Sequence, residues 1–305
     1  MWQRYSKQFK NYLQLERSFS PHSIDAYLRD VKKLWQHIDL QGLNLNPLQV
    51  KQEHLESLLK YLNDLHLADS SQARILSGIR AFYEFLDAEN LLENNPVELM
   101  SMPQIPHHLP DTLHYEEIND LLEAIDLKKS DGKRNRAMIE ILYSSGLRVS
   151  ELINLKMPDI LEEIKVLRII GKNSKERLVP IGNAALNCLK TYLQEVRTHQ
   201  KIKDGQEHFV FISRLGTKLS RQMIFMTIQD LARKIDLKKP VSPHTFRHSF
   251  ATHLIEGGAD LRAVQEMLGH ESINTTQIYI NMDLDFLRQT ITEFHPRARK
   301  NFTKF

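Results

Sequence analysis

The sequence predicts a mainly α-helical protein of two domains, with one small antiparallel sheet confined to the second. Three observations carry that expectation. Apolar residues recur three and four positions apart through most of the chain, the period of a half-buried helix. Residues 100–112, MSMPQIPHHLPDT, hold three prolines and break that period, as an interdomain linker does. Beyond them, the runs VLRII at 166–170 and RLVPI at 177–181 flank a Gly-Lys-Asn-Ser turn, which reads as a hairpin or a three-stranded sheet. A length of 305 residues also exceeds a usual single domain.

Taken in order, Trp2, Tyr5, Phe9, Tyr12 and Leu13 mark a first helix. Ser20-Pro21 starts a second, with serine as N-cap and proline at the first helical position. Its apolar stripe runs through Ile24, Tyr27, Leu28, Val31, Leu34 and Ile38. Leu55, Leu58, Leu59, Leu62 and Leu65 form the stripe of a third helix, and Ile75, Ile79, Phe82 and Leu86 that of a fourth. Four helices with short connections predict a compact bundle over residues 1–100. After the 101–112 linker, where His107 and His108 are read as incidental, helices are expected at 115–125 and 134–144. The strands of 159–180 place Lys172 at the hairpin tip. Further helices follow at 183–197, 219–236, 244–257, 260–268 and 272–280. A last amphipathic segment puts Leu284, Leu287, Ile291 and Phe294 on one face.

Composition bounds the function. A hydrophobic fraction of 41% with 26% charged residues is that of a soluble globular protein. No apolar stretch approaches the roughly 20 residues of a membrane span, and the first residues lack the apolar core of a secretory signal. The single cysteine, Cys188, excludes an intramolecular disulfide framework and fits a reducing cytoplasm. It is expected inside a helix rather than as a thiolate nucleophile. The net charge is +3, and the basic surplus lies beyond residue 100. Groups at Lys128, Lys129, Lys133, Arg134 and Arg136, at Lys165, Arg168, Lys172, Lys175 and Arg177, and at Arg233, Lys234, Lys238 and Lys239 suit either a polyanion or solvated helix ends.

The chemistry-bearing residues gather in two places. Arg148 follows a Ser-Ser-Gly break and opens a helix, an arrangement that aims backbone N–H groups and a guanidinium at an anion. Glu151, three residues on, lies on the same helical face and is placed to brace it. Lys172 on its turn has the reach to protonate a leaving-group oxygen. Near the C-terminus, His244, Arg247 and His248 fall within one helical turn, His270 follows Leu268-Gly269, and a phenol stands at Tyr279. The spacing of His244 and His248 matches the zinc pattern H-E-x-x-H, but Thr-Phe-Arg intervenes. The general-base glutamate is missing and an arginine would repel a dication, so no metal is expected. Guanidinium and imidazole together suit a phosphate oxygen.

The joint pattern of SSGLRVSEL, IGKNSKERLVPI, HTFRHSFATHL and LGHESINTTQIY resembles the tyrosine recombinase/integrase family, most closely its compact Xer-type members, over nearly the whole chain. The resemblance implies a SAM-like, core-binding helical bundle at 1–100, a linker at 101–112, and an α-rich catalytic domain with a three-stranded sheet and a tail helix at 113–305. It implies that Arg148 and Arg247 clamp a scissile DNA phosphate, that Lys172 serves the leaving group, that His244 and His270 support the phosphate and the proton transfers, and that Tyr279 attacks to form a 3′-phosphotyrosyl bond. No metal, ATP or other cofactor is implied. The implied partners are double-stranded DNA, a homo- or hetero-tetramer with cyclic exchange of tail helices, a paralogous recombinase and an activating DNA translocase. The implied role is chromosome dimer resolution, hence chromosome partition and cell division in the cytoplasm. An integrase or transposase of a mobile element, or a non-catalytic DNA-binding protein of the same fold, are the alternatives. The family often has Thr then His after the tyrosine, whereas Ile280-Asn281 stand here.

Overall fold

The computed structural model describes residues 1–98, 100, 111–171, 176–269 and 284–298. Lys172, His270 and Tyr279, the 272–280 helix, and most of the 101–112 linker with His107 and His108 lie outside them. The chain divides into two compact units, residues 1–108 and 109–305.

Helices α1 (Trp2–Leu15), α2 (Pro21–Leu40), α3 (Gln52–Asp64) and α4 (Asp69–Ala88) form the first unit. Ser20 caps α2 by accepting from the Ser23 N–H at 3.2 Å, so the Ser-Pro start acts as expected. The four stripes face one another, and Phe9, Leu34, Leu55, Ile79, Phe82 and Leu86 lose essentially all contact with water. Phe9 meets Phe82 edge-on at 5.3 Å between centroids, the geometry aromatic quadrupoles favour. Leu65 departs from the expected stripe and is 52% exposed. The reason is local: α3 ends at Asp64, Leu65 is its C-cap, and His66 at φ 55° turns the chain away. Helices α2 and α4 approach closely because Gly78 faces the wholly buried Asp30, which pairs with Arg74.

In the second unit, helices α5 (Tyr115–Glu123), α6 (Gly132–Ser144) and α7 (Val149–Asn154) precede the sheet, whose strands are β1 (Ile160–Leu161), β2 (Val166–Ile170) and β3 (Glu176–Pro180). The order is β1-β2-β3, antiparallel throughout, with Leu167 opposite Val179 and Ile169 opposite Arg177. Helices α8 (Asn183–Glu195), α9 (Arg221–Lys234), α10 (Pro243–Glu256), α11 (Leu261–Leu268) and α12 (Leu284–Phe294) complete it. Helix α6 is buried on every side from Ala137 to Tyr143, the Glu140 carboxylate included, and forms the axis of the unit. Against it pack α8 with Leu189 and α10 with Phe246, Phe250 and Leu254, and Met267 of α11 joins the same core. Helix α12 lays Leu287 and Ile291 into the same core, against α10, α11 and β3 of its own unit. Among the described residues no helix is long and apolar enough to cross a membrane.

Candidate active site

Helix α6 stops at Ser144, and the chain reverses through Gly146 at φ +57°. Only glycine takes that conformation without strain, and here there is no room for more. A Cβ on Gly146 would stand 2.5 Å from Phe250 Cδ1. The tight reversal buries Leu147 and delivers Arg148 as the N-cap of α7. Glu151 closes that cap, its Oε2 accepting from the Arg148 N–H at 2.8 Å while Oε1 accepts from Arg148 Nη1 at 3.0 Å. The brace expected from spacing is therefore present.

Arg247 comes from the buried side of α10. Ser242 caps that helix reciprocally with Thr245, and Pro243 fixes its first turn. His244 lies exposed in this turn and His248 is half-buried on the following one. Arg247 Nη1 donates to the Gly146 carbonyl at 2.7 Å and Nη2 to the Leu268 carbonyl at 2.5 Å. Arg148 Nη2 donates to the next carbonyl, Gly269, at 3.2 Å. Two guanidinium groups from helices a hundred residues apart thus grip consecutive carbonyls at the end of α11. The residue after Gly269 is His270. Gly269 caps α11 at φ 64° and ψ 52°, as its place after Leu268 predicts.

The electrostatics fit an anion site. Arg247 is pushed down to about 10, first by burial and next by the Arg148 charge, with Arg177 adding to this and Glu151 opposing it. It remains a cation at neutral pH, but its protonated form is disfavoured. Glu151 goes the other way. Burial raises its carboxyl, yet hydrogen bonds and charge from Arg177 and Arg148 outweigh this and hold it below the usual range. One buried anion against three guanidinium groups leaves surplus positive charge at the end of α11, a setting suited to an anion.

Arg177 was not singled out from sequence beyond its place in a basic group. It forks onto Glu151 at 2.8 and 2.9 Å, and its Nε donates to the Met267 carbonyl at 2.9 Å. One signal was available: strand alternation puts Arg177 on the same face as the buried Val179. About half of the residues in the basic groups meet carboxylates. Arg168 pairs with Asp159, Lys133 with Glu195, Arg233 with Asp230, Lys238 with Asp236, and Lys239 with Glu117. Arg134 is buried beside Asp131. Carboxylates on neighbouring turns and strands neutralise much of the positive surface that a linear count suggests. Cys188 is half-buried on α8, and burial raises its thiol, in keeping with a packing role.

Comparison with known proteins identifies the family and the fold. The phage integrase family model matches residues 111–284, and the phage integrase N-terminal SAM-like domain matches residues 7–90. A tyrosine recombinase XerD from Staphylococcus saprophyticus subsp. saprophyticus is 40% identical over 96% of this chain and 98% of its own. One from Staphylococcus aureus is 39% identical over the same shares. Two solved structures share the fold. One is the XerH site-specific recombinase bound to palindromic difH substrate in a post-cleavage complex, with a TM-score of 0.70, 24% identity, and coverage of 94% of this chain and 84% of that one. The other is the Tn1549 transposon integrase in complex with circular intermediate DNA, with a TM-score of 0.71, 19% identity, and coverage of 93% and 98%. The chain belongs to the phage integrase family and, within it, to the Xer-type tyrosine recombinases, enzymes of site-specific DNA strand transfer.

Proposed function

We propose that the protein cuts one strand of duplex DNA at a specific site, holds it on Tyr279 as a 3′-phosphotyrosyl bond, and rejoins it to a second duplex. The Tyr279 hydroxyl gives up its proton, a transfer that His244 and His270 support, as its oxygen attacks phosphorus; the P–O5′ bond breaks, and the departing 5′-oxygen takes a proton from Lys172. A 5′-hydroxyl from the partner duplex then reverses the step. One phosphodiester replaces another, so the exchange needs no ATP. Charge gathering on the non-bridging oxygens is met by Arg148 and Arg247, with His244 and His270 as further donors.

The observation that carries this reading is the pair of guanidinium groups on the Leu268 and Gly269 carbonyls. They put surplus positive charge one residue from His270. The likeness to XerD along almost the whole chain supports chromosome dimer resolution as the role, with chromosome partition and cell division as its setting in the cytoplasm. Residues 1–100 then serve as the core-binding domain, 101–112 as linker and 113–305 as catalytic domain. Four protomers, alike or paired with a paralogous recombinase, assemble on DNA by exchanging tail helices. The apolar face of Leu287 and Ile291 on α12 is the surface such an exchange would use. A DNA translocase is the proposed activator.

A nicked suicide duplex tests the chemistry, because the cut strand diffuses away and traps the covalent intermediate. The expected result is a protein–DNA adduct on a denaturing gel that survives in EDTA and vanishes in Tyr279→Phe. An adduct that persists in that variant refutes the assignment of Tyr279.

A further inference from the structure

We infer that Arg177 is a positioning residue for strand cleavage: it occupies Glu151 so that the Arg148 guanidinium stays available to the DNA phosphate. The inference rests on Arg148 being a phosphate clamp, as proposed above.

A carboxylate offers about four acceptor directions, and all four at Glu151 are filled. Oε1 accepts from Arg148 Nη1 and Arg177 Nη1, and Oε2 from the Arg148 backbone N–H and Arg177 Nη2. Arg177 holds the fork-to-fork geometry, which is the stronger one. Arg148 is left with a single side-chain bond to the carboxylate, and its side chain stays 38% exposed. That of Arg177 is only 13% exposed, so it is the structural member of the pair. Without Arg177, the buried carboxylate has two empty acceptor positions and one guanidinium within reach. Arg148 then turns to fork onto Glu151 and leaves both the Gly269 carbonyl and the position facing the anion.

A second contact points the same way. Arg177 Nε holds the Met267 carbonyl, and the Arg177 side chain fills the space above Gly269, where an added Cβ would stand 3.1 Å from Cδ and 3.2 Å from Cζ. Three arginines therefore hold three consecutive carbonyls, Met267, Leu268 and Gly269, at the point where the chain leaves α11 toward His270. Arg177 sets one of these contacts directly and another through Glu151.

The test is single-turnover cleavage of the suicide duplex with full-length protein saturating over DNA. Arg177→Gln should slow cleavage by about 10²-fold, the order seen when one transition-state donor is lost. Adding Glu151→Gln to that variant should restore at least about tenfold, because a neutral amide no longer captures Arg148 yet still closes the α7 cap. A merely structural role for Arg177 moves the other way, since a second substitution in the cluster then adds to the damage. Arg168→Ala, which breaks the analogous pair with Asp159 outside the site, should cleave at the wild-type rate. If Arg177→Gln does not fold, Arg177→Lys carries the comparison, with a smaller loss that Glu151→Gln also relieves. Wild-type cleavage by the single variant, or a double variant no faster than the single, overturns the inference. Absence of any adduct with the wild-type protein would instead fail the functional reading on which it rests.

Discussion

Replacing Gly146 by alanine tests how the fold sets the site, because one atom is added where backbone, core and guanidinium meet. The backbone there is left-handed at φ +57°, which costs an L-residue about 1–2 kcal/mol. The added Cβ would stand 2.5 and 2.8 Å from Phe250 Cδ1 and Cε1 and 3.0 Å from Leu268 Cδ2. Phe250 is wholly buried and has nowhere to go, so overpacking adds about 1–3 kcal/mol. The expected loss is therefore about 2–5 kcal/mol, or roughly 5–15 °C in the melting of a unit this size. Gly205 separates the two contributions: its φ is +80° with nothing within 4 Å of an added Cβ, so Gly205→Ala bears backbone strain alone. Calorimetry of the two variants should show Gly146→Ala melting lower than Gly205→Ala by at least several degrees. Because the Gly146 carbonyl holds Arg247 Nη1, adduct formation should also fall at temperatures where the variant is folded. Equal melting of the two variants would refute the steric reasoning, and undiminished cleavage would refute the link to Arg247.

Three further outcomes follow from buried groups. Gly78→Ala would ordinarily gain about 0.5–1 kcal/mol of helix propensity. Here the new Cβ falls 2.8 Å from Asp30 Cβ and 2.9 Å from its Cγ, so thermal unfolding of the first unit should show a net loss of about 1–3 kcal/mol. Arg297→Met should cost about 3–5 kcal/mol, since it strands the buried Glu140 carboxylate that Arg297 Nη2 now meets at 2.6 Å; limited proteolysis should then release residues 284–298 first. His295 is fully buried against Tyr143, Phe250 and the neighbouring His253 and Arg297, and burial first, then His253, lowers it to about 3. Its depressed value means the unfolded chain takes up the proton first, so stability is lost as pH falls below about 6.5. The slope approaches 1.4 kcal/mol per pH unit for one proton. Urea unfolding from pH 7 to 5 should show that slope, and His295→Gln should flatten it.

Much of the molecule was legible before folding. Helix α2 was readable because Ser20-Pro21 and the stripe from Ile24 to Ile38 are local signals, set by the turn of a helix and satisfied within a few residues. The sheet was readable from its two β-rich runs, now paired as β2 and β3, and the Arg148–Glu151 brace because three residues apart means one face. Local rules also erred where they ended, as at Leu65, whose exposure depends on where α3 stops. The basic groups stayed open between a polyanion surface and solvated helix ends, because whether each charge meets a carboxylate, as Arg168 meets Asp159 and Lys133 meets Glu195, is settled by side-chain placement.

Residue types and their spacing alone determined most of the described helices, the Ser20 and Gly269 caps and the Arg148–Glu151 brace. Tertiary structure alone decided that Gly146 would hold Arg247 from 101 residues away, that Arg148 would reach Gly269 across 121, and that Arg177 would fill Glu151. Such partners are chosen by which faces the core brings together around α6. The free energy that fixes them is burial summed over the whole unit, and no short window of sequence contains it.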